Sequence, residues 1–406
     1  MPIAFSLCAT SLPAETPFDR QDTNGDGTLS RREFRGPSAA FKRIDRNHDG
    51  YITHQEAKGT PLRVHGDPAG PAKRRSRFAA TTELVVVDTH NHLVGPKVTG
   101  DFRLEKSAPN ALEIMDATGV RINLLMPMPQ TVSQHFRLTL EDLLPIVKQY
   151  PGRFTALGGG GSLNVMIQRA IKAGRVAPGV EKEFEERAFK LIEKGAVGFG
   201  EMTTEHFSMS EDHPYVTAPP DHPLFLQLAD LAAKSGLSID MHMEAIPQTM
   251  PLLSRFQSPP NPRVLKPNIA AFKRLLAHNR RVNIIWVHLG WDNTEKRTVA
   301  LTRTLLAENP NLYMSIRIAS GMQERKVAKP TFPLDVKDRL KDQWLTLFQE
   351  FPDRFLIGSD EIIKPSNNHP SAGSIRSTAS ILKQLPEKLR RQIGYENAYR
   401  IYKLKK

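Results

Sequence analysis

Eight short β-rich runs recur along residues 84–406, each followed by a longer stretch with helical patterning. No other feature restricts the fold as tightly, because strand–helix alternation calls for a parallel sheet sheathed by helices. The runs are 84–88, 121–126, 153–158, 196–201, 237–243, 282–288, 311–317 and 354–359. Helical patterns fill 109–119, 141–150, 179–194, 223–235, 265–278, 295–308, 336–350 and 375–403. Eight units close a (β/α)8 barrel, which typically takes about 250 residues. The expected class is therefore α/β, a TIM barrel. Its surplus length falls after the fourth, fifth and seventh strands (203–222, 244–264 and 318–335), in the connections where barrels build their pockets. Pro145, inside 141–150, fits a helix only in its first turn.

Three segments precede the barrel at 84–406. Residues 1–14 are apolar and small, like the second half of a leader, but lack a basic start. They raise the expectation of a truncated or unusual leader and a periplasmic or secreted protein, with the cytoplasm as the alternative. Residues 15–60 carry a two-fold repeat, and 61–83, rich in Pro, Gly and basic residues, read as a linker. The single cysteine, Cys8, rules out an intramolecular disulfide. No apolar run approaches the 18 or so residues of a membrane span. The net charge of +13 lies wholly in 61–406. It suits anionic substrates, an acidic surface or plain solubility, and no motif selects a nucleic acid. The partners expected are a small-molecule substrate and further copies of the chain in a homo-oligomer.

The repeat in 15–60 is specific. "DTNGDGTLSRRE" (22–33) and "DRNHDGYITHQE" (45–56) fill the twelve-position calcium loop. In the first, Asp22, Asn24 and Asp26 supply oxygens at positions 1, 3 and 5. Thr28 offers its carbonyl at 7, Ser30 stands at 9 and Glu33 closes at 12. The second repeats this with Asp45, Asn47, Asp49, Tyr51, Thr53 and Glu56; Gly27 and Gly50 allow the sharp turns. Phe18 and Phe41 precede their loops by four residues, and Leu29 and Ile52 occupy position 8, so one small core should serve both loops. The pattern resembles the compact EF-hand pairs of bacterial proteins. Only eleven residues separate the loops, which favours a structural clamp over a sensor that opens.

Within the barrel, ionisable residues gather where strands end. The first run leads into "DTHNH", with Asp88, His90 and His92 on one face by strand alternation. The fourth supplies Glu201, the fifth His242, the sixth His288 and the eighth Asp360. Four imidazoles and two carboxylates from five strands at one barrel mouth suit a first-row divalent metal such as zinc, as one ion or two. The remaining histidines lack this placement; His206 and His213, in the loop after the fourth strand, could touch substrate but read first as surface residues.

The order His-x-His, Glu, His, His, Asp over eight units resembles the amidohydrolase superfamily. "VVVDTHNH", "HLG", "GSD" and the ending "IGYENAYRIYKL" resemble its amidohydrolase-related branch. The resemblance implies that His90, His92 and Asp360 hold a metal, with His242 as a further ligand and Glu201 bridging to any second ion. His288 would ligate that second ion or polarise the scissile bond. Asp360 would take a proton from water and pass it to the leaving group. Strand four offers glutamate and no lysine to be carboxylated, as in a subset of the superfamily. Asp88 would orient the first-strand histidines or make a purely structural bond.

Arg317 reads equally as a carboxylate anchor, by its fork geometry, or as a rim salt bridge. "GGGGS" (158–162) lacks the ending of a phosphate loop and reads as flexible backbone near the pocket. Trp291 lines the pocket or packs under a loop. The leading expectation is a metal-dependent hydrolase of a small carboxylate-containing ester, lactone or amide. The alternatives are a non-oxidative metal-dependent decarboxylase, or a calcium-binding scaffold with an inactive barrel.

Overall fold

The computed structural model describes residues 18, 20–21, 28–31, 33–45, 51–57, 84–95, 103–134, 137–209, 214–256, 260–318, 331–365 and 373–405. The expected leader (1–14) and linker (61–83) lie outside these residues, as do Asp22, Asn24, Asp26, Asn47, Asp49 and His213. So do the side chains of Thr28, Tyr51 and Thr53. The chain divides into two compact units, Met1–Ala79 and Ala80–Lys406.

In the first unit, Thr28–Ser30 pairs antiparallel with Tyr51–Thr53 and sets Leu29 opposite Ile52. Phe18, Leu29, Phe41 and Ile52 form one buried cluster, with Phe34 and Ile44 against it. The helix Ser38–Ile44 fills the short stretch between the loops. Glu33 Oε2 accepts from Ser30 N at 3.0 Å and Ser30 Oγ at 2.7 Å, so the position-12 carboxylate folds back over its loop. Asp45 and Glu56, the ends of the second loop, are buried.

The second unit is a (β/α)8 barrel. Its strands are β1 (Val86–Leu93), β2 (Val120–Leu125), β3, β4 (Gly198–His206), β5 (Ser238–Met243), β6 (Asn283–Leu289), β7 (Leu312–Ile316) and β8 (Phe355–Ile357). Strand β3 comes in two pieces, Phe154–Ala156 and Gly158–Gly159, either side of Leu157. The first piece pairs with β2 and the second with β4, so the parallel order 3-2-1-8-7-6-5-4-3 returns to its start. Glu361–Ile363 continues β8 along the outer half of β1.

Burial on both faces explains why the strands read as apolar runs. Val86, Leu125 and Ile284 pack outward against the helices, while Val87, Leu124 and Ile285 point into the barrel. Ala398, Ile401 and Tyr402 join the inner cluster, so the helix Asn397–Ile401 plugs the end where the strands begin. That accounts structurally for the "IGYENAYRIYKL" ending.

Three helical expectations are corrected. Leu163–Ala173 is a helix that the sequence reading left unassigned; it ends on Gly174 at φ 70°, a left-handed stop that suits glycine. The 375–403 pattern is not one helix but Gly373–Leu382, then a new start behind Pro386 at Glu387. Pro145 lies beyond the first turn of Leu140–Gln149, because Asp142 caps Thr139 N at 2.7 Å and starts the helix early. Buried Leu140, Leu143 and Ile146 hold that helix although Pro145 withholds one N–H.

The connections after β4 and β5 build a cap over one side of the mouth. Phe207, Ile246, Met250, Phe256 and Leu265 form its core, and Tyr215 packs against it. Ser208 and Asn261 exchange two hydrogen bonds across it, at 2.7 and 2.8 Å. In the connection after β7, residues 319–330 lie outside the described residues. The glycine run is not flexible backbone. A Cβ on Gly160 would sit 2.4 Å from Pro127 O, and one on Gly161 1.9 Å from Leu138 O. The run is bare because other chain segments pass against it.

Candidate metal centre

All six residues expected at the barrel mouth are brought together there. His92 Nε2 lies 3.2 Å from Asp360 Oδ1 and 3.3 Å from Glu201 Oε2. His90 Nε2 lies 3.3 Å from His288 Nε2, 3.6 Å from Glu201 Oε2 and 3.9 Å from Asp360 Oδ1. His288 Nε2 is 3.6 Å from Asp360 Oδ2. His242 packs its ring 4.7 Å from that of His288, and its Nδ1 meets Glu201 Oε1 at 2.6 Å. The histidines and Glu201 are buried, and Asp360 is nearly so.

Local backbone irregularities aim several of these side chains. The pairing of β1 with β2 shifts between Asp88 and Asn91, around His90. That of β4 with β5 shifts between Phe199 and Met202, around Glu201. That of β6 with β7 shifts between Trp286 and Leu289, around His288. Such bulges turn a side chain out of strict alternation. His288 and Asp360 have φ of 68° and 54°, left-handed conformations costing about 1–2 kcal/mol for a residue with a Cβ.

The electrostatics favour two ionised carboxylates. Burial opposes the charge on Glu201, yet His90, His242 and His92 hold its carboxyl well below the usual range. Burial likewise opposes the charge on Asp360, but Arg317 and His92 keep it ionised. His288 is pushed well down by burial and by the nearby His90 and His242, so it stays neutral. Burial also works against a charge on His92, but hydrogen bonds to Asp360 and Glu201 outweigh it and push the pKa up to about 10. Its Nδ1 faces the Met126 carbonyl at 2.9 Å, which can only accept, so that nitrogen carries a hydrogen and Nε2 looks into the cluster.

The donor set fits a divalent metal. Two triads, His90–His92–Asp360 and His90–Glu201–His288, each place three ligand atoms within 4.8 Å of one another. A tetrahedral ion with bonds near 2.1 Å separates its ligand atoms by about 3.4 Å, close to the spacings found here. Among the described residues, His90 Nδ1 is buried without a hydrogen-bond partner, and Asp240 Oδ2, which also lacks one, lies 3.9 Å away. A ligating imidazole commonly gives its second ring N–H to a carboxylate, and this pair is set out for that. His242 belongs to neither triad, and its Nδ1 contacts Glu201 Oε1.

The Amidohydrolase family model matches residues 87–404, nearly the whole barrel. The chain belongs to the amidohydrolase family. The EF hand model matches residues 18–36 and 38–56. No curated protein matches the sequence. Among solved structures, the barrel is similar to an uncharacterized TIM-barrel protein from Bordetella bronchiseptica, at 15% identity and TM-score 0.47, covering 78% of this chain and 98% of that one. It is also similar to a probable 2-pyrone-4,6-dicarboxylic acid hydrolase from Acinetobacter baumannii, at 13% identity and TM-score 0.45, covering 79% and 99%. A third is 2,6-dihydroxybenzoate decarboxylase from Rhizobium, at 16% identity and TM-score 0.45, again covering 79% and 99%.

In this amidohydrolase-family site Asp88 makes the structural bond that was one of its two expected roles, Arg317 makes the salt bridge that was one of its own, and His206 departs from its surface reading. Asp88 touches neither imidazole: it accepts from Ser359 N and Oγ and, at 3.4 Å, from His90 N. The bulge around His90 breaks the alternation along β1, which leaves Asp88 the structural bond of its two expected roles. His206 is not a surface histidine; it is half-buried at the end of β4, with its ring 4.5 Å from that of His242. Arg317 Nη1 binds Asp360 Oδ2 at 2.9 Å, and its guanidinium lies 4.2 Å over the Trp291 ring. Asp240 and Arg297 were missed. Asp240 had a signal, standing two residues before His242 on the same strand; Arg297, in the polar loop after β6, had none.

Proposed function

We propose that the barrel is a metal-dependent hydrolase acting on a small ester, lactone or amide that carries a carboxylate. The observation that carries this reading is the pair of triads sharing His90, next to an ionised Asp360 held by Arg317. His90, His92 and Asp360 would hold one divalent ion, with zinc the best match to the donors. Glu201 and His288 complete that shell or begin a second. When bound, such an ion polarises a carbonyl and brings the pKa of water to about 7.

The side chains supply the remainder. Asp360 is ionised and at hydrogen-bond range of the cluster, so it accepts a proton from water and returns it to the leaving group. His288, held neutral, can donate a ring N–H to the oxygen of the scissile carbonyl. Arg317 sits at the rim with Trp291 flat against it. Its fork can therefore grip a substrate carboxylate in a fixed plane. In the N-terminal unit, the two EF hands would each bind calcium, with Glu33 and Glu56 as the closing ligands.

Metal analysis and product analysis test this together. Purified protein should carry about two calcium ions and one or two transition-metal ions. The His90→Ala, His92→Ala double variant should lose the transition metal and retain calcium. A panel of lactones, esters and amides in ¹⁸O-labelled water should yield a labelled carboxylic acid. Calcium alone in the wild-type protein would defeat the reading, and release of CO2 without label would replace hydrolysis by decarboxylation.

A further inference from the structure

Strands β5 and β6 pair in register from Asn283 opposite Ser238 to Trp286 opposite Met241, and the pairing stops there. Beyond that point the two strands deliver His242 and His288, whose rings stand 4.7 Å apart. A side chain bridges the strand ends where the ladder has stopped. Arg297 Nη2 donates to Met243 O and Nη1 to Val287 O, both at 2.6 Å. Met243 directly follows His242, and Val287 directly precedes His288.

Arg297 is itself firmly held. It is 2% exposed, and its guanidinium lies 4.1 Å over the ring of Trp286. The indole Nε1 of Trp286 donates to the same Met243 O at 2.7 Å. The loop that carries Arg297 is stitched to the end of β5. Asn293 N donates to Glu244 Oε2 at 3.1 Å, and Thr294 Oγ1 to Ala245 O at 2.6 Å. Asp292 Oδ2 in turn accepts from Arg297 N at 2.7 Å. Burying a guanidinium carries a desolvation cost that apolar packing of the same volume would avoid. What the guanidinium adds, and an apolar side chain cannot, is two donors at a fixed spacing.

We propose that Arg297 is a positioning residue for the metal centre. Its fork spans the carbonyls beside His242 and His288 and sets the separation of those two imidazoles, and with it the contact of His242 with Glu201. This deepens the metal-centre reading above and rests on it. Arg297 touches no reacting group, so its effect should appear in how tightly, and in what geometry, the barrel holds a metal.

The test uses the full chain, stripped of transition metal, kept saturated with calcium and titrated with Co2+. Wild type, Arg297→Met, Arg297→Lys and Trp286→Phe are compared by Co2+ affinity and visible absorption. Thermal unfolding before Co2+ addition reads stability separately. Arg297→Met should weaken Co2+ binding about 10- to 100-fold and shift its absorption bands. Arg297→Lys, with the charge but not the fork, should recover part of the affinity. Trp286→Phe, which leaves both arginine bonds, should stay within about two-fold. An Arg297→Met protein with a lower melting temperature but unchanged affinity and spectrum would make Arg297 purely structural and overturn the proposal. So would failure of both arginine variants to fold. A wild-type barrel that binds no Co2+ would instead remove the metal-centre reading, and this inference with it.

Discussion

Ser359 donates twice to Asp88, from its backbone N to Oδ1 at 2.9 Å and from its Oγ to Oδ2 at 2.6 Å. The first and last strands of the barrel are thereby locked together just below His90 and Asp360. Ser359 Oγ also lies 3.0 Å from Asn91 Oδ1, so the lock reaches along β1. Asp88→Ala leaves the buried Ser359 N without its acceptor, while Ser359 Oγ can turn to Asn91 Oδ1, and should cost about 1–3 kcal/mol. Urea unfolding measures this. A loss below about 0.5 kcal/mol would show that the barrel closes without the lock.

The barrel was legible in the sequence because its strands are buried on both faces and its helices on one. Those two conditions write different periods into the chain. The six mouth residues were legible because strand ends in a parallel barrel share one face. What could not be read was how they are aimed. The shifts around His90, Glu201 and His288 are properties of pairing between strands far apart in sequence. Alternation along β1 put Asp88 with the histidines, whereas the bulge hands it to Ser359. His206 was discounted because its partner, His242, sits on the adjacent strand. Arg297 left no periodic mark, since a loop arginine acquires its role only when two strand ends come to it.

Tyr402, at the plugged end of the barrel, donates its Oη to Asp240 Oδ1 at 2.7 Å. The other oxygen of Asp240 has no hydrogen-bond partner among the described residues. Tyr402→Phe therefore strips the buried carboxyl of its hydrogen-bonded side chain and should cost about 1–3 kcal/mol. Paired with Asp240→Asn in a double-mutant cycle of thermal unfolding, the two changes should couple by at least about 0.5 kcal/mol. Strict additivity would mean that the C-terminal helix merely fills the barrel.

Glu205 gives a pH dependence with a definite sign. Burial lifts its pKa to about 7, against the hydrogen bonds it accepts from Tyr215 and Thr217, and the nearby Glu244 adds to the rise. The folded state therefore binds more protons than the unfolded chain between pH 4.5, the ordinary value, and about 7. Its contribution to stability is full below that window and is lost as pH rises through it, by up to about 3 kcal/mol. Glu205→Gln should flatten the stability curve across that interval in denaturant unfolding at a series of pH values. Parallel curves for the two proteins would assign the slope to other groups.

Glu33 stands at position 12 of the first EF-hand loop, where the proposed function makes it a calcium ligand, and its Oε2 accepts from Ser30 N and Oγ. Glutamine keeps the length but offers one oxygen in place of two, so Glu33→Gln breaks the bidentate clamp at position 12. Titration calorimetry should show one of two calcium sites weakened at least about ten-fold, with the transition-metal content unchanged. Two undisturbed calcium sites would exclude Glu33 as a ligand.

Arg317 is tied to the site through Asp360, and the proposed function also gives it a substrate carboxylate to hold. Its Nη1 holds Asp360 Oδ2 at 2.9 Å, while its Nε is buried with no hydrogen-bond partner among the described residues. A planar fork stacked on Trp291 can keep the Asp360 contact and still present an edge to a second carboxylate. Lysine retains the charge near Asp360 but has no second edge. Arg317→Lys should therefore raise KM for a carboxylate-bearing substrate about ten-fold or more, with a smaller change in kcat. The matching neutral ester should be turned over with little change in KM. If both substrates lose kcat equally and KM holds, Arg317 serves only to keep Asp360 ionised, and the carboxylate specificity must be sought elsewhere at the mouth.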